Sequence, residues 1–516
     1  MFFLWENNSF IETSTDNMHI VETPKLMETR DGNNQEIFEK LWIENYTEGF
    51  AGGTGKENDP YQISSAEELA YFMFSVQDRC ESKTKNTYYI LTKDIYLNDG
   101  YFEEDGTYHD GGDGQLYYWT PIGTSIHGPF SGFFDGNGKT IYGMYINSDQ
   151  NNQGLFMCVN GTIKNLKVKN AYVTAKSGSS FIAGAAGANK SIFENIVVEG
   201  FIDAVGSAGG IAAHSMYGGA SFVDCKVYGK IKATTTMAGI LQSDNTRNGF
   251  FKRCENYADL VHTGTQGIAA GIAMVYGEYD LYDCKNYGDI SGTYSISGIA
   301  NSVRTVDNCE NYGNIYTKNG RRAGIANSVS ARMTNCKNYG DSWAGIVVFV
   351  KTGSIVSYCE NYGNSMYGIA YENKEKGVIA NCKVFATSTY DYFYGLVDSN
   401  SGQIKNVEIY FTGPIKTLVV FCGRNYEQGS LENILFYGEK LIFPRYFLIT
   451  NNLGKAKNLI SSFDTSKEYL VEDFSKFYVD WKTGKIGIKS ISGKGFYQSA
   501  LTEEWLSNKG FTKFSL

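Results

Sequence analysis

One short phrase recurs through the middle of this chain and constrains its fold more than any other feature. The phrase consists of cysteine, a charged residue, asparagine or valine, an aromatic residue, and glycine or alanine. Its cysteines lie 29, 30, 25, 27, 23 and 23 residues apart, at Cys225, Cys254, Cys284, Cys309, Cys336, Cys359 and Cys382. A glycine followed by two apolar residues alternates with this phrase, as in Gly298-Ile-Ala. Each repeat therefore holds two short apolar segments.

The length of these segments decides between helix and strand. They span four to six residues, which is too short for helices and typical of strands. A period of 23–30 residues built from short strands fits one coil of a parallel β-solenoid. With aliphatic residues in the cysteine position, the register extends to about thirteen coils over residues 140–460. The sequence thus predicts an all-β parallel β-helix, about 60 Å long at a coil spacing of about 4.8 Å.

Side chains alternate in direction along a strand, and this assigns a side to each residue of the phrase. The cysteine and the asparagine point inward, where asparagines of successive coils can hydrogen-bond to one another. The residue between them faces water and alternates between lysine and glutamate from Lys226 to Lys383. Because opposite charges are favourable as direct neighbours on adjacent strands, the alternation predicts that the coils stack in register.

The composition excludes several classes of protein. Aromatic residues make up 15% of the chain and charged residues 20%, which is not the composition of a disordered segment. The net charge of −9 makes nucleic acid an unsuitable partner. No stretch approaches 18 uninterrupted apolar residues, so we expect no membrane span. The first residues show no signal peptide, because they lack a basic segment followed by an apolar one.

The ten cysteines are too sparse for a disulfide scaffold. Thiols stacked in register point side by side, which suits neither a disulfide nor the converging ligands of a metal site. We therefore expect reduced cysteines that fill the core.

The chain divides into a solenoid and its flanks. We expect an arm or linker at 1–50, an N-terminal cap with a helix and the first strands at 51–125, the β-helix at 126–465, and a C-terminal cap at 466–516. The residues from Ser65 to Glu68 fit a capping box that opens a helix over Ala66–Val76. The C-terminal cap would contain strands near 477–481 and 486–491, and a short helix over 502–508.

Several phrases resemble the coils of bacterial surface proteins that carry the GLUG motif. They are Phe130-Ser-Gly-Phe-Phe134-Asp-Gly-Asn-Gly-Lys-Thr-Ile141, Gly154-Leu-Phe, Ile163-Lys-Asn-Leu, Trp119-Thr-Pro-Ile-Gly123, and the lead-in from Asn58 to Tyr71. The resemblance covers roughly residues 50–460 and implies a right-handed parallel β-helix with a short N-terminal helical cap, on a secreted or cell-surface protein. Such proteins are mostly inferred adhesins or glycan-associated modules. The cysteine phrase departs from the pattern, which keeps a phage tail fibre or tailspike as an alternative.

A row of aromatic residues follows the asparagine in each phrase. We expect the outward side chains Tyr257, Tyr287, Tyr312, Tyr339 and Tyr362 to form the binding surface, because aromatic faces in a row suit sugar rings or a flat partner. The alternative is that the rings only stack on one another over the turn.

Acidic residues supply the remaining candidates. Asp259, Asp289 and Asp341 lie five positions after a cysteine, and two of them on adjacent coils would be about 5 Å apart, as in a retaining glycosidase. They also suit ordinary turns. Asp105, Asp110 and Asp113 lie in an acid-rich loop that could hold Ca²⁺, although a solvated loop without any cofactor is the simpler interpretation.

These features favour a non-enzymatic binding protein outside the cell or on its surface, of the adhesin type, with a glycan or a cell-surface ligand as partner. A polysaccharide lyase or glycoside hydrolase on the same scaffold is the alternative from another class. The sequence leaves the oligomeric state open.

Overall fold

Successive copies of the repeat wind into the coils of a parallel β-solenoid in the computed structural model of the chain. The structure describes residues 4–6, 9–11, 20–22, 29–30, 32–33, 36–77, 80–123, 128–186, 191–214, 219–242, 246–265, 267–317, 320–387, 390–412, 417–438, 445–463, 467–474, 477–479 and 486–488. The predicted all-β parallel β-helix is confirmed, with about thirteen coils.

Equivalent residues of neighbouring coils pair directly. Glu310 pairs with Lys337, and Asn311 pairs with Asn338, in parallel register. The same register continues on both sides, from Lys226 opposite Glu255 to Lys383 opposite Glu408. The charge alternation therefore identified the register correctly.

The strands follow the coil from one face to the next. Those that carry or continue the cysteine phrase are Thr162–Ala175, Ile192–Ala204, Lys226–Ala233, Glu255–Asn256, Lys285–Asn286, Glu310–Asn311, Lys337–Asn338, Glu360–Asn361, Lys383–Ala386, Gln403–Phe411, Ser430–Gly438 and Lys455–Phe463. Strands shortly after the phrase are Asp259–His262, Ile290–Gly292 and Ile315–Thr317. A seven-stranded sheet comprises Asn151–Gln153, Ser177–Ser179, Ala208–Gly209, Thr236–Ala238, Ile268–Ala270, Ser295–Ser297 and Arg321–Ala323.

The remaining strands of the coils return the chain to the next cysteine. They are Phe156–Val159, Ala183–Ala186, Ser221–Val223, Leu241–Gln242, Thr246–Lys252, Ala273–Tyr282, Ala300–Asp307, Ala326–Thr334, Val347–Val350, Ile355–Ser357, Ala370–Asn373, Val378–Ala380, Tyr392–Tyr394, Val397–Asn400, Thr417–Asn425 and Arg445–Asn452. The first coils contain Tyr61–Ile63, Tyr88–Leu91, Ile95–Tyr96, Gln115–Tyr118, Phe133–Asp135, Thr140–Tyr142 and Tyr145–Asn147.

A left-handed backbone conformation marks the same corner of each coil. The residue before the cysteine position has φ between 52° and 56°, as at Asn308 and Asn335. Asparagine and aspartate tolerate this conformation better than other side chains, which explains their frequency there. The same φ occurs at Asn195 and Asn406, next to the buried Ile196 and Val407. These residues confirm that the repeat register extends beyond the cysteines.

The core of the solenoid is narrow and continuous. Cys309 and Ile325 are fully buried in it, together with Asn311. The Nδ2 atoms of Asn256, Asn286, Asn311 and Asn338 each donate to the Oδ1 of the asparagine on the next coil, over 2.8–2.9 Å. Gly298 faces this asparagine column, and a Cβ there would lie 2.4 Å from Cγ of Asn311. The glycine is therefore required by close approach and not by its backbone angles.

The N-terminal end is covered by a helix, as predicted. Helix Ala66–Val76 begins after Ser65, whose Oγ accepts from the backbone N–H of Glu68 at 3.3 Å. Leu69 and Phe72 are fully buried against the first coils. A short helix, Cys80–Thr84, follows, and a 3-10 turn, Trp42–Glu44, precedes. Such a cap shields the first coil's strand edge.

Strands also occur outside the stacked coils. At the N-terminus they are Leu4–Glu6, Ser9–Ile11, Ile20–Glu22, Thr29–Arg30 and Glu36–Leu41, and the last of these pairs in parallel with Gln115–Tyr118. At the C-terminus they are Lys467–Phe474, Phe477–Val479 and Ile486–Ile488. Strand Lys467–Phe474 runs antiparallel to Lys455–Phe463 and ends the parallel series. The helix predicted over 502–508 lies outside the described residues.

Candidate functional site

The predicted row of tyrosines forms one continuous stack, which we call the tyrosine ladder. Its members are Tyr228, Tyr257, Tyr287, Tyr312, Tyr339, Tyr362, Phe385 and Tyr410. Neighbouring ring centroids lie 4.6–5.0 Å apart and the rings are tilted by only 4–8° to one another. The side chains point outward because strand alternation places Asn and Cys inside.

The stacking determines which part of each ring a ligand can reach. Each internal ring has another ring against both faces, so the ladder presents ring edges and hydroxyl groups. Tyr287, Tyr312 and Tyr339 are 37–38% exposed, and this exposure belongs to those edges. A sugar could contact the ladder along its edge, but it could not insert between rings already at stacking distance.

Ion pairs run beside the ladder on every second step. Lys226 lies 2.7 Å from Glu255, and Lys285 lies 2.8 Å from Glu310. Lys337–Glu360 and Lys383–Glu408 repeat the pair at 3.3 and 3.4 Å. On each coil whose phrase carries a glutamate, the tyrosine hydroxyl donates to that glutamate, as Tyr312 does to Glu310 at 2.8 Å. The ladder face is thus a regular pattern of phenol, ammonium and carboxylate groups.

These contacts shift the pKa values of the charged groups. Burial acts to raise the pKa of Glu310, but the Lys285 ammonium and the Tyr312 hydroxyl outweigh it, and the net pKa is lowered. The pKa of Lys285 is raised because its ammonium is held by Glu310. Burial, followed by the adjacent Glu310 carboxylate, raises the pKa of Tyr312. At neutral pH the ladder therefore carries charged pairs and neutral phenols.

The candidate catalytic carboxylates also form a regular column. Oδ1 of Asp259 accepts from the backbone N–H of Asp289 at 3.0 Å, and Oδ1 of Asp289 accepts from Asn314 N–H at 2.7 Å. Asp341 accepts from Asn364 N–H at 3.1 Å in the same way. One oxygen of each carboxylate thus accepts a hydrogen bond from a backbone N–H group of the next coil. A catalytic role for these three residues stays a prediction.

The acid-rich loop brings together only two of its three predicted metal-binding residues. Asp110 and Asp113 converge with Asp99, with oxygens of all three within 4.8 Å of one another. Asp105 is outside this group and accepts from the backbone N–H of Thr107 at 2.9 Å. Burial, together with the Asp99 and Asp110 carboxylates, raises the pKa of Asp113. Carboxylate oxygens are suitable Ca²⁺ ligands, and calcium binding stays a prediction for this loop.

The same loop forms ion pairs with a coil that is distant in sequence. Oε1 of Glu104 lies 2.8 Å from both Nζ of Lys230 and Nζ of Lys232. Phe102 stacks on Tyr145 with ring centroids 5.0 Å apart, which packs the loop onto the outer surface. The two lysines lower the pKa of Glu104 by hydrogen bonding. This long-range contact left no recognisable signal in the sequence.

A second aromatic group, which sequence reasoning missed, lies on another outer face. This aromatic cluster consists of Trp343, Phe349, Tyr367, Tyr371 and Tyr394. The Trp343 and Tyr371 rings stack with centroids 4.9 Å apart, and the Trp343 and Tyr367 rings meet edge to face with centroids 4.8 Å apart. Trp343, Phe349 and Tyr371 pack on Ala323, Ala344 and Val348. Ala323, Ala344 and Val348 form a group separate from the central core, on the opposite side of the sheet.

Charged groups surround the aromatic cluster. The guanidinium of Arg321 lies over the Phe349 ring, 4.9 Å from its centroid. Arg424 lies 3.8 Å from Asp398, whose carboxylate also accepts from the Ser399 hydroxyl at 2.8 Å. Asp398 raises the pKa of Arg424. The cluster therefore combines partly exposed rings with hydrogen-bonding groups at its edge.

Fold and surface together define a parallel β-solenoid with two separate outer aromatic surfaces. No protein-family model matches the sequence. A stretch of 154 residues, 29% of this chain, is 32% identical to a protein of Evansella cellulosilytica provisionally named Gly-rich membrane protein, of which it covers 16%. A stretch of 162 residues, 31% of this chain, is 26% identical to halomucin of Haloquadratum walsbyi, of which it covers 2%. The matched region thus spans a small part of either relative.

A solved structure was also compared with the fold. It is a provisionally assigned immunoglobulin A1 protease from Bacteroides ovatus, and the match covers 84% of this chain and 91% of that one. Sequence identity is 15% and the TM-score is 0.26. A superposition with this score does not by itself indicate a shared function. Within the described residues, no helix is long and apolar enough to cross a membrane.

Proposed function

We propose that this protein is a non-enzymatic binding protein of the cell surface or extracellular space, which recognises a glycan or another repeating surface. The tyrosine ladder is the observation that carries the proposal. It offers eight evenly spaced rings, with neighbouring centroids 4.6–5.0 Å apart. This spacing is close to the length of one sugar residue, so a glycan laid along the axis would meet equivalent groups at each step.

The chemistry of the ladder face supports an edge-on contact. Phenol edges supply apolar area, and the hydroxyl, ammonium and carboxylate groups supply donors and acceptors for sugar hydroxyls. Each contact is worth on the order of 1 kcal/mol. Three or four together would give a dissociation constant in the millimolar to micromolar range. The resemblance to GLUG-motif surface proteins and the membrane-protein name of one relative agree with a location at the cell surface.

Two triple variants test the ladder. Changing Tyr287, Tyr312 and Tyr339 to phenylalanine keeps the stack and removes three hydroxyls, whereas changing them to serine removes the rings as well. We expect the wild type to be retained on a glycan array, the phenylalanine variant to be weakened, and the serine variant to lose retention. The matched control changes the exposed Tyr294, Tyr316 and Tyr358 to serine, outside the ladder.

The alternatives give different results in the same experiment. Full retention by a folded serine variant would contradict the ladder as the binding surface. Appearance of new reducing ends or unsaturated products would contradict a non-enzymatic role. Loss of that product in an Asp259→Asn, Asp289→Asn double variant would then identify the column of carboxylates as catalytic.

A further inference from the structure

The tyrosine ladder has a chemical repeat of two coils, although its rings repeat on every coil. On coils whose phrase carries a glutamate, the tyrosine hydroxyl donates to that glutamate at 2.8 Å, as at Tyr257, Tyr312 and Tyr362. The coils between them carry a lysine in the phrase, and the hydroxyls of Tyr287 and Tyr339 there make no hydrogen bond to any described residue. Free and occupied hydroxyls therefore alternate along the ladder.

The carboxylates follow the same alternation. Oε2 of Glu310 is occupied twice, by Nζ of Lys285 at 2.8 Å and by the hydroxyl of Tyr312 at 2.8 Å. Oε1 of Glu310 makes no hydrogen bond to any described residue, and this side chain is 17% exposed. Each pair of coils thus offers a ligand one free hydroxyl, one free carboxylate oxygen and one partly exposed ammonium group. The set recurs at intervals of about 9.6 Å, which is twice the coil spacing of about 4.8 Å.

This repeat distinguishes between classes of elongated ligand. An extended peptide strand repeats every two residues, over about 6.6–6.8 Å, and matches neither one coil nor two. In a β-1,4-linked chain of pyranoses both linkage bonds are equatorial, and successive sugars are turned over relative to each other. The same edge of such a chain therefore reappears at every second sugar, over a length close to that of two coils. Chains with α-1,4 or β-1,3 linkages curve into helices and lose this alternation.

The charges on and beside the ladder favour a neutral chain. Lysines of the ladder face are already paired with glutamates, as Lys285 is with Glu310 at 2.8 Å. Asp259 and Asp289 follow ladder tyrosines by two residues, and both are exposed. An anionic polysaccharide would therefore meet further carboxylates, together with ammonium groups that are already neutralised, and like charges at short range repel.

We propose that the tyrosine ladder binds a neutral β-1,4-linked polysaccharide, which lies along the solenoid axis with one disaccharide to each pair of coils. Every second sugar then hydrogen-bonds to a free hydroxyl, such as that of Tyr287, and to the free oxygen of a neighbouring glutamate, such as Glu310. The eight rings accommodate about four disaccharides. The assignment rests on the proposed function, because it takes the ladder as the glycan site, and it adds the linkage and the charge of the glycan.

Calorimetric titration of the whole chain with hexasaccharides of different linkage tests the assignment. The β-1,4-linked probes are cellohexaose and chitohexaose. Laminarihexaose, which is β-1,3-linked, and maltohexaose, which is α-1,4-linked, contain the same sugar as cellohexaose and are its matched controls. We expect a β-1,4-linked probe to bind the wild type at least about ten-fold more tightly than either control. Cellohexaose oxidised to the carboxylate at C6 should bind more weakly than its neutral parent.

Two double variants test the two-coil repeat within the ladder. Tyr287→Phe with Tyr339→Phe removes free hydroxyls, whereas Tyr312→Phe with Tyr362→Phe removes hydroxyls that are already bonded to glutamate. The four rings are 37–39% exposed, so the two variants change equally accessible side chains. We expect an affinity loss of about ten-fold in the first variant and less than about two-fold in the second, since only the first removes groups that hydrogen-bond to the ligand.

The results separate this assignment from the proposed function. Equal binding of cellohexaose, laminarihexaose and maltohexaose, or equal losses in the two double variants, would overturn the two-coil repeat as the basis of recognition and leave the ladder as a glycan site. Tighter binding of the oxidised probe than of cellohexaose would overturn the neutral chain. Failure of every hexasaccharide to bind would overturn the assignment, and the proposed function would fall with it only if the glycan array also retained nothing.

A protein partner is the remaining outcome. A polyproline II helix repeats every three residues, over about 9.3 Å, which is also close to two coils. Proline lacks an N–H group, however, and has nothing to donate to the free oxygen of Glu310. Tighter binding of decaproline than of either β-1,4-linked probe would overturn the assignment in favour of a peptide ligand.

Discussion

Asn286 and Asn311 lie on adjacent coils, and Nδ2 of the first donates to Oδ1 of the second at 2.9 Å inside a fully buried core. The same Nδ2 also donates to the backbone carbonyl of Gly288 at 2.9 Å, within its own coil. Each asparagine thus joins two coils and fixes one turn at the same time. A polar column of this kind is stable in an apolar core because every internal amide has partners on both sides.

The first prediction concerns this asparagine column. Changing Asn311 to alanine leaves the Asn338 oxygen without its donor, the Gly313 carbonyl without its side-chain partner, and one N–H of the Asn286 amide without its acceptor. We expect a loss of about 3–5 kcal/mol in the free energy of unfolding, since three buried groups lose hydrogen bonds at about 1–3 kcal/mol each. Urea denaturation measures the loss. A loss no larger than that of Cys309→Ala would contradict the prediction.

The second prediction concerns the cysteine column. Cys309→Asp or Ile325→Asp places an unpaired charge in the core, where both native side chains are fully buried, and we expect several coils to unfold. Cys309→Ala and Cys309→Val should cost only about 1–2 kcal/mol, because a small apolar group is replaced by another. Circular dichroism on heating distinguishes the two outcomes. Equal stability of the aspartate and alanine variants would show that this part of the core admits water.

The third prediction concerns the chemistry of the thiols. The ten cysteines are free and buried, and burial raises the pKa of Cys359 and Cys382 well above the usual range. We expect the native protein to react slowly with a thiol reagent at pH 8, and to react fully once unfolded, because all ten thiols are buried away from the reagent in the native state. Addition of reductant or chelator should leave the melting temperature unchanged. A large drop with either reagent would show that the native core contains disulfides or bound metal.

The fourth prediction concerns acid stability. Because the pKa of Glu310 is lower in the folded protein, its pairing with Lys285 stabilises the fold above the unfolded pKa of about 4.3, and this contribution is lost as the pH falls through the folded value. We expect Glu310→Gln to cost about 0.5–1 kcal/mol at pH 7, and this cost to disappear once the pH lies below the folded pKa of Glu310. Unfolding measured at pH 7 and in acid gives the difference. If the cost persists in acid, the contribution of Glu310 comes from side-chain packing and not from its charge interaction with Lys285.

The repeat made most of the fold predictable, because its residues occupy equivalent positions on every coil. Spacing placed Cys309 and Asn311 inside and Glu310 and Tyr312 outside, and the structure agrees at each position. The capping box at Ser65 likewise depends on local sequence alone. Features that repeat in the sequence must repeat in space, so a local pattern is sufficient to predict them.

The aromatic cluster and the loop contact could not be predicted in this way. Trp343, Phe349 and Tyr371 occupy different positions within their repeats, and only the register between two adjacent coils brings them together. Glu104 reaches Lys230 over more than a hundred residues, and nothing near either residue marks the partner. The sequence predicted stacking of the tyrosine rings as one of two alternatives. That the stacking covers the ring faces and leaves the edges accessible could be established only from the distances between ring centroids. Contacts between non-equivalent positions depend on tertiary geometry.

The alternating charges also restrict how a chain like this can change in length. Removing residues 310–336 would place two coils whose cysteine phrase carries a lysine next to each other. Lys285 would then lie beside Lys337, and the two ammonium groups would repel each other. Removing residues 310–359 would instead bring Lys285 beside Glu360 and leave every neighbour opposite in sign. The solenoid can therefore grow or shrink by an even number of coils without conflict, and its unit of duplication is a pair of coils rather than one.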